Sequence, residues 1–204
     1  MIQSVLFVVN SIESFDFELE AQDLLKSCAI EASTFFPESP SDYHLVILWN
    51  YQTIVPNVDS YSNIILFHAS ELPKGKGWAP IYYALSEQKE YYTLTGIRAA
   101  NSVDSGEIVG AARYKITPDM TATHLRTWDT TISLILIQKL LTLDEIDTTP
   151  QVGSSSYNRR RKKEDNEIVP LDTIASALPH LRACEPSHPA YFIHDGVRFN
   201  IQIT

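Results

Sequence analysis

Residues 64–80 read IILFHASELPKGKGWAP, and this stretch decides how the rest of the chain is understood. An apolar run with the character of a buried strand ends at His68. A loop carrying Pro73, Gly75 and Gly77 follows, and Pro80 stands where a helix opens, at a first-turn position whose missing N–H is harmless. In open α/β sheets, ligands gather where the carboxyl end of a strand gives way to such a loop. A histidine there is well placed for proton chemistry.

A second stretch, VDSGEI at residues 103–108, puts Asp104 on an Asp-Ser-Gly turn. Taken alone, this is turn chemistry. Beside a histidine, the same carboxylate can orient an imidazole and stabilise its charged form.

The two stretches together resemble the formyltransferase family. Residues 66–73 follow that family's Asn-x-His-x-Ser-Leu-Leu-Pro hallmark, with His68, Ser70, Leu72 and Pro73 matching and Leu66 in place of the asparagine. Residues 103–108 resemble its Asp-Thr-Gly-Asp-Ile signature. The two lie in the right order, a helix and a strand apart, which is more specific than either alone. The resemblance runs over residues 45–143, with a fainter echo at Arg160, Arg161, Glu164 and Asp165.

The resemblance implies a trimmed α/β open sheet of mainly parallel strands flanked by helices. It also implies N10-formyltetrahydrofolate as co-substrate, no metal, and His68 and Asp104 as catalytic groups. The family asparagine donates to the formyl oxygen, and losing one such donor typically costs ~100 to 1,000-fold in rate. Asn50 and Asn101, at neighbouring strand ends, are the candidates to replace it. Trp49, Asn50, Asn101 and Val103 are the expected folate contacts, and Lys76 and Trp78 the expected acceptor contacts.

Composition narrows the partners. With 204 residues the chain can bury a sizeable core as one domain with an appended piece. A net charge of −9 argues against nucleic acid as the main partner, because phosphates are repelled by such a surface. Cys28 and Cys184 show no metal-ligand spacing and read as reduced thiols. No apolar run approaches the ~18 residues of a membrane span, and residues 1–10 lack a basic leader. A cytoplasmic protein with no membrane partner is expected.

Along the chain, residues 5–9 (VLFVV) and 44–49 (HLVILW) read as buried strands, with no glycine fingerprint for a dinucleotide after the first. Residues 17–28 have near-helical spacing, and 34–43 read as strand end and loop. Helices are expected over 80–89, 121–143 and 171–183, with Thr117 or Asp119 capping the second. Strands are expected over 91–99 and 107–116, and residues 150–165, including SSSYNRRRKKED, read as a solvated basic loop. Residues 190–193 and 197–203 suit a hairpin about Asp195-Gly196. The expected division is a catalytic domain, 1–149, and an appendage of basic loop, helix and hairpin, 150–204.

Within the family, tRNA-directed members carry a large added barrel domain and positive surface, which this sequence does not show. The expected acceptor is therefore an amino sugar, nucleotide-linked, in bacterial surface-glycan synthesis, with a homodimer as a possible assembly. Two rivals are a glycinamide ribonucleotide acceptor and a decayed formyltransferase that binds folate or a partner without catalysis.

Overall fold

The computed structural model describes residues 3–15, 17–169 and 172–203. In chain order the elements are β1 (Gln3–Val8), α1 (Glu18–Leu24), β2 (Cys28–Ser33), β3 (Leu45–Leu48), β4 (Ile64–His68), β5 (Lys76–Gly77) and α2 (Pro80–Ser86). There follow β6 (Tyr91–Arg98), β7 (Ile108–Lys115), α3 (Ala122–Leu140), β8 (Tyr157–Asn158), α4 (Ile174–Ala183), β9 (Ala190–His194) and β10 (Val197–Ile201).

Six strands form one sheet in the order β2-β1-β3-β4-β6-β7, parallel from β2 through β4 and antiparallel at β6 and β7. The apolar runs alternate faces with the two-residue period of a strand. Val5, Phe7, Leu45, Ile47 and Ile65 pack with Phe17 and Ala21 of the α1 region and Leu134 and Ile137 of α3. Leu6, Val8, Val46 and Ile64 face the other way, toward Val55, Val58 and the rings of Tyr43, Tyr51 and Tyr61. That second face is covered by irregular chain and short 3-10 turns at Pro40–Asp42 and Val58–Ser60. His68, in phase with Ile64 and Leu66, belongs to this face.

Three expectations are corrected. The helix expected over 17–28 stops at Leu24, and residues from Cys28 onward enter the sheet as edge strand β2, whose half-buried CAIEAS has no strong apolar period. The cap of α3 is Thr121, whose backbone N–H donates to His124 Nδ1 at 3.1 Å, while Thr117 Oγ1 instead donates to Asp119 Oδ1 at 2.6 Å. The region read wholly as a basic loop contains β8, which lies parallel to β5. The last helix begins at Ile174 behind its Thr173 cap; Leu171 lies outside the described residues. The hairpin β9–β10 forms about Asp195 and Gly196 as expected. No helix among the described residues is long and apolar enough to cross a membrane.

Two glycines hold the loops after β4 and β6 close to their supports. Gly77 has φ +89, and a Cβ on it would meet Asn158 O at 2.7 Å. At Gly106 a Cβ would lie 1.7 Å from Arg98 O, an overlap that only displacement of the turn could relieve. Gly106→Ala is expected to destabilise the fold by about 2–4 kcal/mol. Gly110→Ala, whose Cβ meets only Leu136 Cδ2 at 3.5 Å, should be nearly neutral. Thermal unfolding of the two variants side by side measures the difference.

Candidate functional site

His68 ends β4 with its ring buried, and both of its nitrogens face acceptors. Nε2 lies 2.8 Å from the Gly75 carbonyl, and Nδ1 lies 3.4 Å from Asp104 Oδ2. A carbonyl can only accept, so Nε2 carries a hydrogen and Nδ1 is the nitrogen left to exchange a proton beside Asp104. Asp104 sits in the left-handed region at φ +48, and the same Oδ2 accepts from the Gly77 N–H at 2.8 Å. The loop after β4 and the loop after β6 thus meet at one carboxylate. Ser70, the next matched motif position, is structural: its hydroxyl donates to Lys74 O and its carbonyl accepts from Thr95 Oγ1, both at 2.7 Å.

Residues 149–158 strap both loops in place. Thr149 and Ile108 exchange backbone hydrogen bonds of 2.9 and 2.8 Å. Gln151 Nε2 donates to Asp104 O at 2.9 Å and Gly106 O at 2.8 Å, spanning the turn that carries the carboxylate. Farther on, Ser156 Oγ accepts from Gly75 N, Ser156 O from Lys76 N, and Asn158 O from Trp78 N. None of these residues stood out in the sequence, because a polar loop without period gives no sign of what it will bind.

The pair borders an open cleft of about 650 Å³, within the usual range for small-molecule sites. Trp49, Asn50, Asn101, Val103 and Trp78 all border it, as does Leu66. Lys76 does not: its side chain is buried, and in β5 it lies opposite Tyr157 of β8, with Nζ 5.8 Å from that ring's centroid. Asn101 is committed elsewhere, its Nδ2 donating to Asp59 Oδ2 at 2.6 Å. Asn50 has φ +50 and its carbonyl accepts from Asn10 Nδ2 at 2.7 Å, but its side-chain amide has no partner among the described residues. Tyr51, Ile54, Val55, Ile97 and Val103 give the cleft apolar lining, and Ile54 and Val103 are exposed.

Another wall comes from α3 and was missed. Arg126, Asp129, Thr130 and Ser133 border the cleft, and their spacing is one polar stripe on a helix whose later turns are apolar. That stripe was the available signal. Tyr92 OH lies 2.7 and 2.6 Å from the two oxygens of Asp129. Arg126 pairs with Glu185, the residue after the α4 C-cap. Burial pushes the Asp129 carboxyl up to about 7, against the opposing pull of the Tyr92 hydrogen bond and the Arg126 charge. Burial likewise raises Tyr114, whose hydroxyl is buried without a partner.

Two measurements follow from this geometry. Asp129 binds its proton more tightly folded than unfolded, so its contribution to stability is fully present below pH 3.8 and is lost as pH rises through about 7. Three units correspond to about 4 kcal/mol, and screening by the open cleft reduces this to roughly 2 kcal/mol. Asp129→Asn should therefore gain stability relative to wild type between pH 4 and pH 8, as read by urea unfolding at the two ends; parallel curves would refute the assignment. Gln151→Leu should cost about 1–3 kcal/mol and speed hydrogen exchange at the Gly77 and Ser105 amides, because the Asp104 turn loses its clamp.

No protein-family model matches the chain. In sequence it is similar to the methionyl-tRNA formyltransferase of Thermus thermophilus, 31% identical over 133 residues, covering 64% of this chain and 43% of that protein. It is 26% identical over 205 residues to that of Pelagibacter ubique, covering 93% and 62%. The chain thus spans about half the length of these relatives. In fold it is similar to HypX from Aquifex aeolicus in complex with tetrahydrofolic acid, with a TM-score of 0.82 at 13% identity over 100% of this chain and 38% of that one. It is also similar to a sugar N-formyltransferase from Shewanella, with a TM-score of 0.71 at 16% identity over 100% and 98% of the two chains. By sequence over most of its length, and by a sheet that brings His68 to Asp104, the chain is similar to members of the formyltransferase family.

Proposed function

We propose that the chain moves a formyl group from N10-formyltetrahydrofolate to the amine of a small acceptor, and that the acceptor is a nucleotide-linked amino sugar. The observation that carries this reading is the contact between His68 and Asp104 at the edge of a cleft with one apolar and one polar wall. The folate supplies an activated one-carbon acyl group. Tyr51, Ile54, Val55 and Val103 offer its ring an apolar wall, and the α3 stripe offers the acceptor hydroxyls a polar one. The charge of −9 supports a small acceptor over a tRNA, whose phosphates such a surface repels.

Acyl transfer to an amine passes through a tetrahedral oxyanion, so a proton must leave the amine and a donor must face the oxygen. His68 Nδ1 takes the proton from the amine beside the Asp104 carboxylate, with its Nε2–H held by Gly75 O, and passes it to N10 of the folate as the oxyanion collapses and the formyl C–N10 bond breaks. The Gly77 N–H holds Asp104 Oδ2 in place beside the ring. Leu66 has no donor to give, and of the two candidate asparagines only Asn50 has an uncommitted amide. Asn50 is therefore assigned the oxyanion role.

Leu66 also favours a second reading, a folate-binding module that transfers nothing. Incubation with N10-formyltetrahydrofolate and a panel of nucleotide-linked amino sugars and glycinamide ribonucleotide, following release of tetrahydrofolate, separates the two. Release with an amino sugar, abolished in His68→Ala, is the expected result; folate binding with no release from any acceptor selects the module. Asn50→Ala should lower kcat by roughly 100-fold or more. Asn101→Ala should change it only a few-fold, and wild-type turnover in Asn50→Ala would remove that residue from the mechanism.

A further inference from the structure

We propose that a second, smaller pocket opening beside the cleft binds a phosphate or diphosphate group of the acceptor through Arg160 and Arg161. The proposal rests on the cleft being where the acceptor reacts. The pocket, of about 210 Å³, is lined by Trp78, Ala79, Arg160, Arg161, Glu185 and His188. Four of these, Trp78, Ala79, Arg161 and Glu185, also border the main cleft, so the two spaces adjoin.

The charge arrangement is unusual for so acidic a chain. Arg159 is spent on Asp165, with its two terminal nitrogens 2.7 and 2.6 Å from the two carboxylate oxygens. Glu185, the one carboxylate lining the pocket, is taken by Arg126. Arg160 and Arg161 have no carboxylate partner among the described residues. Their guanidinium planes are held instead by aromatic faces, Arg160 over Trp78 at 4.5 Å and Arg161 over Tyr82 at 3.3 Å. Stacking fixes a guanidinium plane while leaving its N–H edge open to a flat or tetrahedral anion.

Arg161 adds an independent sign. Its Nη2 donates to Asn166 Oδ1, yet its Nε is buried with no hydrogen-bond partner. A buried charged donor left unmade is unfavourable, so the chain's own groups do not use the full hydrogen-bonding capacity of Arg161. Two adjacent cations, pre-oriented and unneutralised, match the chemistry of a phosphate ester more closely than that of a neutral sugar.

The test is calorimetric titration of the full chain with inorganic pyrophosphate, inorganic phosphate and uridine diphosphate. Binding of pyrophosphate that weakens with added salt is expected, with a Kd raised about tenfold or more in Arg160→Gln and in Arg161→Lys, which keeps the charge but loses the fork. Arg113→Gln, outside both pockets, should bind as wild type does. Tighter binding of uridine diphosphate than of pyrophosphate would identify a nucleotide-linked source, and equal binding of inorganic phosphate a simple phosphate ester; either supports the pocket. No binding by wild type, or unchanged affinity in both arginine variants, overturns it. Pyrophosphate binding without transfer to any amine would leave the pocket standing and defeat formyl transfer, whereas transfer with an unaltered acceptor KM in Arg160→Gln would do the reverse.

Discussion

One carboxylate oxygen joins the two halves of this site. Asp104 Oδ2 accepts from the Gly77 N–H and faces His68 Nδ1, so the loop leaving β4 and the loop between β6 and β7 share a single anchor. The constraint reaches into the backbone. Asp104 adopts a left-handed conformation that a non-glycine residue enters at a cost, and Gly106 lies so near Arg98 O that no side chain fits. The turn is therefore set by its surroundings rather than by its own preference, and Gln151 bonds the carbonyls on either side of its tip.

What the sequence made legible follows from the strength of its apolar pattern. The runs ending at Val8, Leu48 and His68 are continuous and β-branched because strands in the middle of a parallel sheet are covered on both faces. β2 escaped notice because it is the outer strand: its Glu31 is exposed, and its burial alternates only weakly. The meeting of His68 with Asp104 was legible from two short motifs. The strap was not, since Gln151 and Ser156 act on partners up to 81 positions away and nothing in a polar stretch marks such a partner.

The α3 stripe lies between these cases. Arg126, Asp129 and Ser133 recur at helical spacing on a segment whose later residues are aliphatic, so their shared face could have been read before any coordinates. What the pattern could not give is the environment. Burial raises the Asp129 carboxyl against the pull of its Tyr92 hydrogen bond, and Tyr92 comes from β6, a strand that the helix pattern says nothing about. Lys76 shows the opposite failure: a polar side chain in a functional loop looks available until register places it against Tyr157.

The parallel pairing of β5 with β8 has a consequence for how the protein comes into being. During synthesis, the histidine and the aspartate emerge well before Ser156 and Asn158, whose backbone groups complete the glycine loop. The sheet can assemble first, on contacts already made, while the reactive pair remains loosely held. The geometry around His68 is thus completed late, by a segment that adds little to the core, and a nick within that segment would release the glycine loop while leaving the sheet intact.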